Sequence, residues 1–116
     1  MSTPDVEALL LARLAPLGGI KLFAYESVPM MHALGERTSI QVDVRASSKQ
    51  RARDRAYVAR DSMLAMPGED FTEAVVNWVE IESGPAWLPD PDGAPRYVLR
   101  ATLHYHERRS ATQVLH

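Results

Sequence analysis

Residues 40–66 read IQVDVRASSKQRARDRAYVARDSMLAM, and the change of period inside this stretch decides the fold. At its start Ile40, Val42 and Val44 alternate with Gln41, Asp43 and Arg45, the two-residue period of a strand with one packed side and one side free to meet water or a partner. Ser47 or Ser48 then caps a helix, along which Ala52, Ala56, Ala59, Met63 and Met66 recur at steps of four and three. The stripe is mostly alanine, so the helix can lie close against a sheet, and Pro67-Gly68 is expected to end it.

Working outward, Thr3-Pro4-Asp5 precedes a leucine-rich run and reads as a helix start, with Thr3 as cap, Pro4 in the first turn, and Asp5 and Glu7 at the positive end of the dipole. Leu9, Leu10 and Leu14 are expected to face inward, and Gly18-Gly19 to stop the helix. KLFAY, residues 21–25, reads as a strand. From Glu26 to Thr38 the pattern dissolves, and ESVPMMHALGER reads as a loop with a helical turn near Met30.

Downstream, Val75, Val76, Trp78, Val79 and Ile81 are apolar on both sides, which predicts a central strand. Tyr97, Leu99, Ala101, Leu103 and Tyr105 alternate with Val98, Arg100, Thr102 and His104 in a fourth strand. The expected fold is α+β: one small domain over residues 1–116, with two helices on one face of a four-stranded, mainly antiparallel sheet, in the order α-β-β-α-β-β. Residues 109–116 read as a flexible tail.

The 116 residues, 46% of them hydrophobic, suit one domain with one core. Cysteine is absent, which removes disulfides, thiolate nucleophiles and sulfur-ligated zinc and is compatible with a reducing cytoplasm. No apolar run approaches the roughly 18 residues of a membrane span, and no signal peptide is expected. A net charge of −2 carries no general attraction to nucleic acid or membrane.

Candidate chemistry is sparse. Asp90-Pro91-Asp92-Gly93 opens like a calcium loop, yet Ala101 stands where the bidentate glutamate belongs, so the motif reads as a turn. His104 and His106 share one side of a strand, about 7 Å apart, and read as a solvent-facing pair on an edge strand. Nothing in the sequence brings His32 or His116 to them. Glu80 and Glu82 alternate on one strand face and read as a hydrated surface. No nucleophile elbow, glycine-rich phosphate loop or Asp-His-Ser arrangement is present. These absences predict a protein that is not an enzyme and takes no cofactor or metal.

Charge is segregated along the chain. Arg45, Lys49, Arg51, Arg53, Arg55 and Arg60 face Asp54 alone, whereas Glu69, Asp70, Glu73, Glu80, Glu82, Asp90 and Asp92 follow with no basic residue among them. Two solvated faces are one account. A phosphate-binding arginine helix is a second, weakened by the acidic segment and by few aromatics near the arginines. Head-to-tail self-assembly through unlike patches is a third. On that account Arg51, Arg53 and Arg55 form the basic side, and Glu80, Glu82, Asp90 and Asp92 the acidic side. Residues 84–95 then make a long irregular arm, anchored in a neighbour by Trp87 with Leu88, or else Trp87 folds back over its own core.

SIQVDVRASSKQRARDRAYVARDSMLAMPG, followed by VVNWVEIESGPAWLPDPDGAPRYVLRATLHYH, resembles the tail terminator (tail completion) proteins of long-tailed, siphovirus-type bacteriophages of actinobacteria. The likeness runs from about Ser39 to Arg109 and rests on the ensemble of elements, with no catalytic signature in it. It implies a structural virion protein, found in the host cytoplasm during assembly. Such a protein forms a homo-oligomeric ring, usually a hexamer, that caps the tail tube, ends its polymerisation and meets a head connector or stopper. ESVPMMHALGER does not separate a terminator from another head-tail joining protein. The resemblance offers no catalytic residues to transfer.

Overall fold

The computed structural model describes residues 5–29, 35–69, 71 and 74–107. Helix α1 spans Val6–Leu14 and runs into a 3-10 turn at Ala15–Leu17. Strands β1 (Ile20–Pro29) and β2 (Glu36–Arg45) follow, then helix α2 (Lys49–Leu64) and strands β3 (Ala74–Trp87) and β4 (Arg96–Glu107). The sheet order is β1-β2-β4-β3, with every neighbouring pair antiparallel. The expected α+β fold and element order are therefore present.

The helices begin where short polar side chains can occupy orphan amides. The Ser48 hydroxyl accepts from the Arg51 amide at 3.2 Å, which settles the choice between Ser47 and Ser48. At α1 the cap is Asp5, whose carboxylate accepts from the Ala8 amide at 2.9 Å. The cap expected at Thr3 falls outside the described residues. Helix α2 stops at Leu64, ahead of Pro67-Gly68, although Met66 stays fully buried.

One sheet face carries both helices. Ile40, Val42 and Val44 from β2, Leu99, Ala101 and Leu103 from β4, and Ala52, Ala56, Ala59 and Met63 from α2 are all fully buried there. From α1, Leu10 and Leu14 are buried and Leu9 is half-buried against the same core. The alanine stripe is what lets α2 settle directly on β3 and β4.

Three expectations about the strands need correction. The segment read as a loop from Glu26 to Thr38 is largely strand: β1 continues to Pro29 and β2 starts at Glu36. The pattern dissolved because the register shifts between Ala24 and Glu26, which breaks the alternation while backbone pairing continues. The turn expected near Met30 lies outside the described residues, as does the tail at 109–116.

Strand β3 is an edge, not the centre. Its apolar run misled because the register shifts at Asn77, between Val76 and Trp78, and Trp78 stays 60% exposed on the uncovered face opposite His104. β4, carrying His104 and His106, lies inside the sheet between β2 and β3 instead of at an edge.

The irregular segment is also shorter than expected. Residues 84–87 belong to β3, leaving only 88–95 outside regular structure. There the Leu88 amide donates to the Arg96 carbonyl at 3.1 Å and the Asp90 amide to the Ala94 carbonyl at 3.0 Å, so the connection is a tied hairpin end rather than a free arm.

Candidate interaction surfaces

Among the described residues no helix or strand covers the sheet face opposite the helices. On it Ser39, Gln41, Asp43 and Arg45 of β2 lie opposite Thr102, Arg100, Val98 and Arg96 of β4. Small side chains at Ser39 and Thr102, whose hydroxyls are 2.9 Å apart, leave room for longer ones to converge above them. Tyr25, on outer strand β1, thus donates its hydroxyl at 3.0 Å to Glu82 on the opposite outer strand β3. Glu82 also accepts from Thr102 and, at 3.5 Å, from Ser39. Led by the Thr102 hydroxyl, these donors hold the Glu82 carboxyl below its ordinary range. Burial, and then the Glu82 carboxylate, push the Tyr25 phenol up.

At the other end of this face two arginines stand opposite each other, Arg45 on β2 and Arg96 on β4. Their repulsion is offset by carboxylates: Asp43, only 2% exposed, meets Arg96 at 3.0 Å and Arg45 at 3.7 Å. Asp90 reaches in from the hairpin loop and takes both prongs of Arg45, at 2.8 and 2.9 Å. The Arg96 Nε donates to the Leu88 carbonyl at 2.8 Å. Hydrogen bonding from Arg45 holds the Asp90 carboxyl below its usual range, and the same bond raises the Arg45 guanidinium.

On the helix layer, Arg51 and Arg53 are exposed. Arg53 and Arg60 lie over the Tyr57 ring, 4.9 and 4.8 Å from its centre. Lys49 sits 4.8 Å from the centre of the Trp87 ring, which in turn packs on Tyr97 at 5.5 Å. Aromatic rings therefore do stand among the basic residues of α2, which their spacing in the sequence concealed.

The eight residues singled out from the sequence divide into two groups. Arg55 is held by its own fold, donating to the carbonyls of Arg45 at 2.8 Å and Gly18 at 3.2 Å. Glu82 and Asp90 are engaged as described, and Trp87 folds back on Tyr97 with 38% of its surface still exposed. Arg51, Arg53, Glu80 and Asp92 remain at the surface, Asp92 also accepting from the Ala94 amide at 2.9 Å within its turn. The basic pair lies on the helix layer, while Glu80, opposite Thr102, lies on the uncovered face. Residues not singled out, Phe23, Tyr25, Trp78 and Arg100, line that uncovered face. The alternation in KLFAYE and YVLRATL was the only signal for Phe23, Tyr25 and Arg100, while Trp78 was hidden in a run that reads as apolar on both sides.

His106 Nδ1 is 3.0 Å from the side-chain Nδ2 of Asn77. Among the described residues no three His, Asp or Glu side chains gather in a way that could hold a metal, and no helix is long and apolar enough to cross a membrane. Comparison of the chain with protein-family models, with curated proteins and with solved structures finds no match.

Proposed function

We propose that this chain is a structural subunit of a virion, a tail terminator whose copies form a ring on the end of a phage tail tube. Its mechanism is occlusion: the ring covers the growing end, stops addition of tube subunits and presents its far side to a head connector or stopper. No bond chemistry is involved. The observation that carries the reading is the division of the surface into unlike faces. Arg51 and Arg53 stand out from α2 on one layer, Glu80 and Trp78 on the other, and β1 and β3 border the sheet as its two outer strands. Unlike faces on one chain favour head-to-tail contacts, which close into a ring when the rotation per subunit allows. The likeness of residues 39–109 to tail terminators supplies the biological setting.

The deciding experiment is electron microscopy of particles assembled without the protein. Overlong tails are expected. Tails of normal length beside unattached heads would instead make it a joining protein of the neck.

A second reading has an observation of its own. Arg53, Tyr57 and Arg60, with Lys49 over Trp87, make a strip of cations on aromatic rings along α2, a combination that also suits nucleic acid. A fluorescence titration with an oligonucleotide separates the two, since phosphate binding weakens steeply as salt rises.

A further inference from the structure

The uncovered sheet face contains a groove of about 480 Å³ walled by Phe23, Tyr25, Gln41, Asp43, Arg96 and Arg100. Most guanidiniums over this face already meet carboxylates: Arg37 meets Glu26 at 3.5 Å, Arg45 meets Asp90 at 2.8 Å, and Arg96 meets Asp43 at 3.0 Å. Among the described residues Arg100 has no carboxylate within 4.0 Å. Its Nε donates to the Gln41 side-chain oxygen at 3.3 Å, and its guanidinium lies 5.6 Å over the Tyr25 ring. Those contacts orient the fork and leave its two terminal nitrogens free of protein partners in the described part of the chain. Beside it Phe23 and Tyr25 are 46% and 48% exposed, an apolar wall next to a cation that forms no close ion pair among the described residues and acts on the Glu82 carboxylate only at longer range.

We propose that this groove docks a peptide segment of a partner protein in which one carboxylate side chain neighbours an aromatic or large aliphatic one. The carboxylate takes the terminal nitrogens of Arg100, a planar fork matched to two oxygens. The apolar neighbour lies on Phe23 and Tyr25. Because Gln41 and Tyr25 already hold the guanidinium in place, little side-chain freedom is lost on docking. Charge placement favours an isolated carboxylate over a polyanion. A nucleic-acid strand laid across the face would meet Glu26, Glu80 and Glu82, whereas a single acidic side chain in the groove meets Arg100 first. The groove is walled by β1, β2 and β4 and uses none of Arg51, Arg53, Trp78 or Glu80, so the inference stands or falls apart from the contacts proposed for the ring.

The test is an amide-resolved NMR titration of the isotope-labelled full chain with three capped tetrapeptides: Gly-Glu-Phe-Gly, Gly-Gln-Phe-Gly and Gly-Glu-Ala-Gly. The Glu-Phe peptide is expected to shift the amides of Phe23, Tyr25 and Arg100, and to bind roughly tenfold more tightly than the Gln-Phe peptide, the scale of one charge-assisted hydrogen bond. Arg100→Gln should abolish that discrimination while leaving the circular dichroism spectrum unchanged, and Trp78→Ala, outside the groove, should retain it. Equal affinities for the Glu-Phe and Gln-Phe peptides, shifts confined to other surfaces, or no binding overturn the proposal. So does an oligothymidylate that binds the same amides more tightly than any peptide, which would make the face a nucleic-acid site.

Discussion

Arg45 grips Asp90 with both prongs of its guanidinium, Nε to Oδ2 at 2.8 Å and Nη2 to Oδ1 at 2.9 Å, joining the end of β2 to the hairpin loop between β3 and β4. The loop is thereby fastened to its own sheet. Arg96 completes the clamp by binding Asp43 and the Leu88 carbonyl.

The clamp makes stability depend on acid. The Asp90 carboxyl is held below its ordinary range in the folded state, so it stabilises the fold above the unfolded carboxylate pKa and ceases to do so as pH falls through the folded value. Glu82, lowered mainly by the Thr102 hydroxyl, acts in the same direction. Asp90→Asn is expected to unfold at lower urea than the parent at neutral pH, with the two converging in acid. Urea midpoints measured across that range check the sign.

The same network gives Tyr25 a spectroscopic signature. Its phenol is pushed up by burial and then by Glu82, so Glu82→Gln should bring its ionisation down. Ultraviolet difference titration in the alkaline range, with Tyr25→Phe to assign the step, reads this directly.

Gly19 lies where β1 passes the end of β2. Its φ is +67°, its carbonyl accepts from the Arg45 amide at 2.9 Å, and a Cβ there would collide with the Arg45 carbonyl oxygen. Gly93 shares a positive φ, +87°, but has open space around it. Gly93→Ala should therefore cost only the conformational term, about 1–2 kcal/mol. Gly19→Ala should cost more, because backbone overlap adds to the same strain. Denaturant midpoints of the two variants test the ordering.

Core and surface substitutions should separate cleanly. Leu99→Ala, at a fully buried position on β4, is expected to lose about 2–5 kcal/mol of stability. Arg51→Glu with Arg53→Glu should leave the thermal midpoint nearly unchanged and weaken assembly on tail tubes, as should raised salt. Arg55 is a poor choice for that test. Its reversal would also remove the bonds to the Gly18 and Arg45 carbonyls and so confound assembly with folding. Mass measurement with purified tubes reads assembly, and unchanged complexes under both conditions would remove the electrostatic part of the ring proposal.

Element types were legible because short-range periods carry them. The alternation around Val42 and the alanine stripe from Ala52 to Ala59 name a strand and a helix wherever they sit, since each period follows from backbone geometry. Strand position was not legible in the same way. The apolar run at Val75–Val79 suited a buried centre, but a central place depends on which strands pair, and pairing joins residues as distant as Ile40 and Ala101.

The sequence by itself determined the α-β-β-α-β-β order, the packed faces of β2 and α2, and the separation of basic from acidic segments. Only the tertiary structure decided which of those charges remain at the surface. Arg51 and Glu80 stay exposed, whereas Arg55, Glu82 and Asp90 are drawn into hydrogen bonds with their own fold, and Arg100 is left beside Phe23 and Tyr25 with no carboxylate partner among the described residues. The reason is physical: a charge is neutralised by whatever lies within a few ångströms, and strand pairing and curvature set those neighbours across gaps of tens of residues.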